Sequence, residues 1–132
     1  MKLFLLRHAK ARDTWPDAER ELSEHGIGQV EKLAAAVDAS QFYDVVQIWH
    51  SPYEAARLVA SLSCFGKDLM IVSHNPFLEN LADILLAGTK RGGRAIFDKC
   101  TLASLTMEEP PSHDIEYGLW ALDFLISPKI IR

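Results

Sequence analysis

Short apolar runs alternate with stretches of helical periodicity through the first two-thirds of the chain. Residues 2–6, 44–49 and 69–72 are apolar segments of strand length. Continuous apolar runs of this length are typical of strands that bury both faces, as parallel strands do. The pattern therefore predicts three strands here, with the first and third lying inside the molecule.

Apolar residues at helical spacing lie between and after these strands. A first helix is predicted from an N-cap at Ser23 to about residue 39, and a second begins at Ser51-Pro52. A third opens at Asn75-Pro76 and closes at Gly88. The predicted apolar face of the first helix is Val30, Leu33, Ala34 and Val37, and that of the third is Leu78, Leu81, Ala82 and Leu85.

Two further strands are predicted near the end of the chain, at residues 102–107 and 115–124. The connection 108–112 is too rich in proline to continue either strand. Alternation of strands and helices favours right-handed crossovers and a parallel sheet. The predicted fold is α/β, a three-layer sandwich whose mostly parallel sheet is flanked by helices and carries a C-terminal antiparallel strand pair.

Composition narrows the class of protein. The 132 residues fit one domain, residues 1–132, and 48% hydrophobic with 24% charged residues is ordinary for a globular protein. A net charge of -4 gives no reason to expect nucleic-acid binding. No apolar stretch approaches the roughly 20 residues that span a bilayer, and no signal peptide is evident. We expect a cytoplasmic protein with no membrane partner, in which Cys64 and Cys100 are reduced thiols.

Polar residues follow each of the first three predicted strands. Arg7-His8, His50-Ser51 and Ser73-His74 stand at successive strand ends. Ligands in open parallel sheets bind beyond the carboxyl ends of the strands. If these strands are parallel neighbours, the three groups converge at one edge and form a candidate site.

Two histidines with an arginine suit phosphoryl transfer. An imidazole can attack phosphorus and form a phosphohistidine intermediate, while an arginine neutralises the phosphoryl oxygens. On residues alone, packed or solvent-facing histidines remain the alternative, as His25, His50 and His113 are expected to be. A zinc site of His8, His50 and His74 is conceivable, but it has no ligand spacing to support it.

The ordered set of motifs resembles a known family, the histidine phosphatase (phosphoglycerate-mutase-like) superfamily, and within it the short SixA-type phosphohistidine phosphatases. The similarity runs nearly end to end. It rests on segments 3–10 (LFLLRHAK), 19–26 (ERELSEHG), 50–52 (HSP), 72–78 (VSHNPFL) and the tail 120–129 (WALDFLISPK). The resemblance implies a nucleophile at His8, phosphate binding by Arg7, a pocket completed by His74, and neither metal nor cofactor.

Further phosphate ligands are predicted from the same resemblance. Arg20 stands where SixA-like members often carry an additional arginine, although a surface arginine is the other interpretation. Asn75, beside His74, is included among the predicted ligands. The family usually has S-P-x-x-R in its second helix, and this chain has Ala55 at that arginine. Arg57 lies two residues on, a helical rotation of about 200°, so it serves only if the helix begins differently.

The bridge 63–67 is also shorter than in relatives, which predicts an open, shallow site. The predicted function is a phosphohydrolase that forms a phosphohistidine on His8 and dephosphorylates phosphohistidine on a signalling protein. The alternatives are a weak or inactive member that binds phosphorylated partners, and a broad phosphatase of small phosphate esters. Candidates by position for a general acid are Asp13, Asp17 and Glu79. Lys90, Arg91 and Arg94 are candidates for a basic rim, although a solvated basic loop is the favoured interpretation of these three residues.

Overall fold

The computed structural model describes residues 1–12, 21–49, 67–89 and 95–131. Within them the chain forms two helices, one sheet of five strands and two short 3₁₀ turns. The elements are β1 (Lys2–Arg7), α1 (Glu24–Ala36), a 3₁₀ turn (Ala39–Phe42), β2 (Val45–Trp49), β3 (Asp68–Ser73), α2 (Phe77–Ala87), β4 (Leu102–Glu109), β5 (Leu119–Ile126) and a final 3₁₀ turn (Pro128–Ile130).

The sheet has the order β2-β3-β1-β4-β5, which places β1 at its centre. β1 pairs parallel with β3, and β3 pairs parallel with β2. β4 and β5 form an antiparallel pair, and β4 runs antiparallel to β1. The structure therefore confirms the predicted α/β class and the antiparallel pair at one side of the sheet.

The two helices cover opposite faces of the sheet. Leu3 and Leu5 on β1 pack in the same apolar cluster as the buried side of α2. Phe4, which points to the other face, packs with Leu33 of α1. Leu3, Phe4 and Leu5 have no exposed surface, because a central strand between two helical layers is buried on both sides. These layers confirm the predicted three-layer arrangement.

Helix α2 follows its prediction closely. Its four predicted apolar residues are all buried, and Gly88 ends it in the left-handed region with φ 76°. The Gly88 amide donates to the Ile84 carbonyl at 2.8 Å, so a carbonyl of the last turn is satisfied. Glycine adopts this conformation without the steric cost that a Cβ would add.

Helix α1 ends three residues earlier than its periodicity predicts. Ser23 caps it as predicted, with the Ser23 hydroxyl accepting from the Gly26 amide at 3.0 Å. The helix stops at Ala36 because Asp38 starts a separate 3₁₀ turn by accepting from the Ser40 amide at 2.9 Å. The predicted apolar face is also only partly right: Leu33 is buried, whereas Val30 is 41% exposed.

Strand β5 begins at Leu119, so the predicted start at residue 115 is wrong. Residues 115–118 instead form a turn in which the Gly118 amide donates to the Ile115 carbonyl at 3.1 Å. Gly118 has φ 78°, and a Cβ there would lie 2.6 Å from the Glu109 carbonyl oxygen. The turn therefore requires glycine, which outweighs the strand propensity of Ile115 and Tyr117.

Some predictions lie outside the described residues. The helix predicted after Ser51-Pro52 is one of them, and so is the bridge 63–67 except for Lys67, which directly precedes β3. In the described part of the chain, no helix is both long and apolar enough to cross a membrane.

Gly26 provides a test of how α1 is fixed beside the segment that follows β1. A Cβ at Gly26 would lie 2.0 Å from the Lys10 carbonyl oxygen, which also accepts from Ser23. We expect Gly26→Ala to lower the free energy of unfolding by about 1–3 kcal/mol, because backbone must shift to admit the methyl group. Urea unfolding measures this change.

Gly28→Ala is the matched control. Its Cβ would meet no atom of the described residues within 4 Å, so the substitution should stabilise the helix by about 0.5–1 kcal/mol. Equal effects of the two substitutions would contradict the close packing of Gly26 against Lys10.

Candidate active site

The site forms where β1 and β3 end side by side. Arg7 lies opposite Ser73 in the parallel register, so His8 and His74 leave the sheet at the same level. The His8 amide donates to the Ser73 carbonyl at 3.1 Å. The two imidazole rings stack with their centroids 4.4 Å apart and their planes 23° apart. The predicted convergence of these two strand ends is confirmed, while His50-Ser51 lies outside the described residues.

A returning segment, residues 97–101, holds the end of β1 from its other side. The Arg7 amide donates to the Thr101 carbonyl at 2.9 Å, and the Cys100 amide donates to the His8 carbonyl at 3.2 Å. Cys100 takes a φ of 60°, which turns the chain towards β4. The backbone on both sides of the His8 ring is therefore fixed before any ligand binds.

The guanidinium of Arg7 is anchored to a backbone carbonyl. Its Nη1 donates to the carbonyl oxygen of Phe97, whose ring is almost fully buried. A guanidinium has five N–H donors in a planar fork, so one anchored N–H leaves others for a ligand. Arg7 is thus held beside His8 as a cation with remaining donor capacity.

Asn75 also donates to the Phe97 carbonyl. Its Nδ2 lies 2.8 Å from that oxygen and 2.9 Å from Oε1 of Glu79. These two acceptors account for both hydrogens of the amide nitrogen. Asn75 therefore acts first as a link within the protein, and its role as a phosphate ligand remains a prediction.

Glu79, on the first turn of α2, accepts a second hydrogen bond from the Phe97 amide at 3.4 Å. Asn75 and Glu79 are four residues apart, the spacing at which side chains meet at a helix start. In the sequence Glu79 is only a candidate general acid, although its spacing from Asn75 also indicates that the two side chains meet. Its observed contacts are those of a hydrogen-bond acceptor.

The structure brings together Arg7, His8, His74 and Asn75 of the predicted site residues. Arg20, Arg57 and Ala55 lie outside the described residues, as do Asp13, Asp17 and the basic residues 90, 91 and 94. Within the described residues, no three His, Cys, Asp or Glu side chains are placed to hold a metal ion. His25 and His113 are exposed, as expected.

The chain matches no protein-family profile and no curated protein. Solved structures do match it. The protein histidine phosphatase SixA complexed with tungstate has a TM-score of 0.73 and 18% identity, with 98% of each chain covered.

Two other matches are designated SixA. The structure from Agrobacterium tumefaciens gives a TM-score of 0.60 at 20% identity and covers 97% of this chain and 98% of its own. The structure from Nakamurella multipartitia gives a TM-score of 0.69 at 16% identity and covers 97% of this chain and 96% of its own. At these identities the likeness establishes that the chain has the SixA fold over nearly its whole length.

Cys100, which packs in the apolar cluster of Phe4 and Leu33, allows a chemical test of the packing around the end of β1. Only 2% of the residue is exposed, and burial raises the pKa of its thiol above the ordinary value. The thiol is therefore protonated at neutral pH, and the thiolate is the form that reacts. In a Cys64→Ser background we expect alkylation of the native protein to be at least about 100-fold slower than in urea. Comparable rates in the two conditions would show that segment 97–101 is not closed over the thiol.

Proposed function

We propose that this chain is a phosphohistidine phosphatase whose nucleophile is His8. One observation carries the proposal: His8 stacks on His74 and adjoins the anchored Arg7, on a chain with the SixA fold. Two imidazoles and a guanidinium at one strand edge match the needs of phosphoryl transfer, which are a nucleophile and neutralisation of the phosphoryl oxygens.

The reaction takes two displacements. A ring nitrogen of His8 attacks phosphorus, the new N–P bond forms, and the bond to the substrate imidazole breaks. That imidazole leaves carrying a proton, so its departure needs little help from a strong acid. Water then attacks the phosphorus on His8, the N–P bond breaks, and inorganic phosphate leaves with His8 restored. Splitting the hydrolysis in this way replaces one difficult step by two easier ones.

Neighbouring groups stabilise the transferred phosphoryl group. Arg7 directs its remaining N–H donors at the equatorial oxygens, where charge is greatest in the transition state. His74 is exposed at the edge of the sheet and donates a further hydrogen bond from its ring. Arg20 and Arg57 complete the predicted set of phosphate ligands, whereas Asn75 uses both hydrogens of its amide nitrogen within the protein, on Glu79 and on the Phe97 carbonyl.

The favoured substrate is phosphohistidine on a signalling protein in the cytoplasm. The exposure of His74 supports a substrate presented on a protein surface, because a small metabolite is bound best in an enclosed site. The short bridge 63–67 supports the same interpretation. The SixA structure with a TM-score of 0.73 to this chain is that of a protein histidine phosphatase, which agrees with this choice.

Phosphate release from a histidine-phosphorylated carrier protein tests the proposal. We expect His8→Ala to lose at least about 10³-fold in rate, because removal of a nucleophile abolishes the covalent route. His113→Ala is the matched control, since His113 is exposed and pairs only with the neighbouring Asp114 among the described residues.

Release that survives in His8→Ala would contradict His8 as nucleophile. If the folded wild-type protein releases no phosphate from the carrier, phosphohistidine is not its substrate. Rapid hydrolysis of sugar phosphates or nucleotides would then point to a broad small-molecule phosphatase.

A weak or inactive member that binds phosphorylated partners is the second candidate, and Ala55 favours it. The family arginine at this position would add a cation to the phosphate pocket. If its absence limits the chemistry, Ala55→Arg should raise the hydrolysis rate by about 10- to 1000-fold, the range for one phosphate-stabilising donor. Single-turnover kinetics measure the change. An unchanged rate would show that Ala55 is a tolerated departure.

A further inference from the structure

We propose that Glu79 is a positioning residue that fixes the Arg7 guanidinium through Asn75 and the Phe97 carbonyl. The inference rests on the proposed function, because it assigns Arg7 to the phosphoryl group. Glu79 touches neither His8 nor a substrate in this assignment. It acts by determining where the Phe97 carbonyl lies.

Three hydrogen bonds form a closed ring that includes the backbone amide and the backbone carbonyl of Phe97. Oε1 of Glu79 accepts from Asn75 Nδ2, and the same Nδ2 donates to the Phe97 carbonyl. The Phe97 amide closes the ring by donating to Glu79 Oε1. The carboxylate thus contacts the Phe97 residue twice, once directly and once through the amide of Asn75.

Arg7 is attached to this ring at a single point. Its Nη1 donates to the Phe97 carbonyl oxygen, the same atom that accepts from Asn75. Arg7 is 90 residues from Phe97 along the chain, so only tertiary structure sets this contact. Among the described residues Arg7 forms no ion pair with Glu79. The carboxylate therefore places the arginine without neutralising it.

The orientation of the Asn75 amide shows that the ring is favoured over a competing arrangement. Asn75 Oδ1 is buried and has no hydrogen-bond partner among the described residues. Leaving a buried acceptor unpaired is unfavourable, so another contact must outweigh it. Rotating the amide by 180° would put this oxygen against two other acceptors, Glu79 Oε1 and the Phe97 carbonyl. The amide is held with Nδ2 towards both of them, and the unpaired oxygen is the consequence.

Positioning matters at this place because Arg7 must meet a transition state. Phosphoryl transfer depends mainly on placement and charge, and small displacements of a catalytic group lower the rate strongly. Without the Glu79 acceptor, the Asn75 amide loses its preferred orientation and the Phe97 peptide loses two of its restraints. Arg7 then keeps its charge but not its fixed direction.

Two substitutions at Glu79 separate the acceptor from the charge. Glu79→Ala removes the acceptor, and we expect kcat to fall about 10- to 100-fold, with a smaller change in KM. Glu79→Gln keeps a carbonyl oxygen that can accept the same two hydrogen bonds, so it should stay within about 3-fold of wild type. Asp123→Ala is the matched control. That carboxylate also accepts two side-chain hydrogen bonds, from Ser104 and Thr106 within the sheet.

A double-mutant cycle with Arg7 tests the route of the effect. If Glu79 acts through Arg7, Glu79→Ala should cost less than about 2-fold in an Arg7→Lys background, because the group it positions is already gone. Additive losses would mean that Glu79 acts elsewhere and would overturn the inference. Asp123→Ala should leave kcat unchanged and combine additively with Arg7→Lys.

An NMR measurement decides the inference without any turnover. The Arg7 side-chain N–H signals, assigned by their loss in Arg7→Lys, should be sharp and slow to exchange in the wild type and in Glu79→Gln. In Glu79→Ala they should broaden or exchange faster, while the fold is retained in the amide spectrum. Unchanged Arg7 signals in Glu79→Ala would overturn the inference.

The two readouts distinguish this inference from the proposed function. A wild-type protein without phosphohistidine hydrolysis, but with Arg7 signals that depend on Glu79, would refute the function and keep the positioning role. A wild-type protein that hydrolyses phosphohistidine, with Arg7 signals indifferent to Glu79, would keep the function and refute the positioning role.

Discussion

The parallel pairing of β1 with β3 is the constraint on which the site depends. Its register places Arg7 opposite Ser73, and the next residue of each strand is a histidine. The register itself is set by burial, because Leu3 and Leu5 pack beneath α2 while Phe4 packs beneath α1. A slip of one residue would exchange these faces. The packing of β1 on both faces therefore builds the core and also sets the level at which the two histidines leave the sheet.

The sequence predicts this part of the fold well because its signals are local. Strand β1 is a continuous apolar run, and α2 has an apolar face and a terminal glycine, so neither depends on distant contacts. Prediction fails where a polar contact or a backbone conformation outweighs periodicity. Asp38 ends α1 early by capping a separate 3₁₀ turn. Gly118, in the left-handed region, turns the chain where Ile115 and Tyr117 indicate a strand.

The candidate site also contains some groups that the sequence predicts and others that it does not. Arg7, His8 and His74 are visible in the sequence because they stand directly after apolar runs, where a sheet of this kind binds ligands. The Phe97 carbonyl is not visible, because every residue has a carbonyl and its use depends on tertiary placement. The spacing of Asn75 and Glu79 indicates that the two side chains meet. It does not indicate that a peptide 18 residues beyond Glu79 lies between them and Arg7.

The anchor of Arg7 is a neutral backbone carbonyl, which suits an acidic protein that binds phosphate. The chain carries a net charge of -4, so binding of a phosphate depends strongly on each cation at the site. A carboxylate bound directly to Arg7 would hold it firmly, but it would also cancel the field that a phosphoryl group needs. Inserting the Asn75 amide and the Phe97 peptide between Glu79 and Arg7 separates these two effects. The Glu79 carboxylate accepts the hydrogen bonds that hold Asn75 and Phe97 in place. The Phe97 carbonyl then holds Arg7 and leaves the guanidinium a cation.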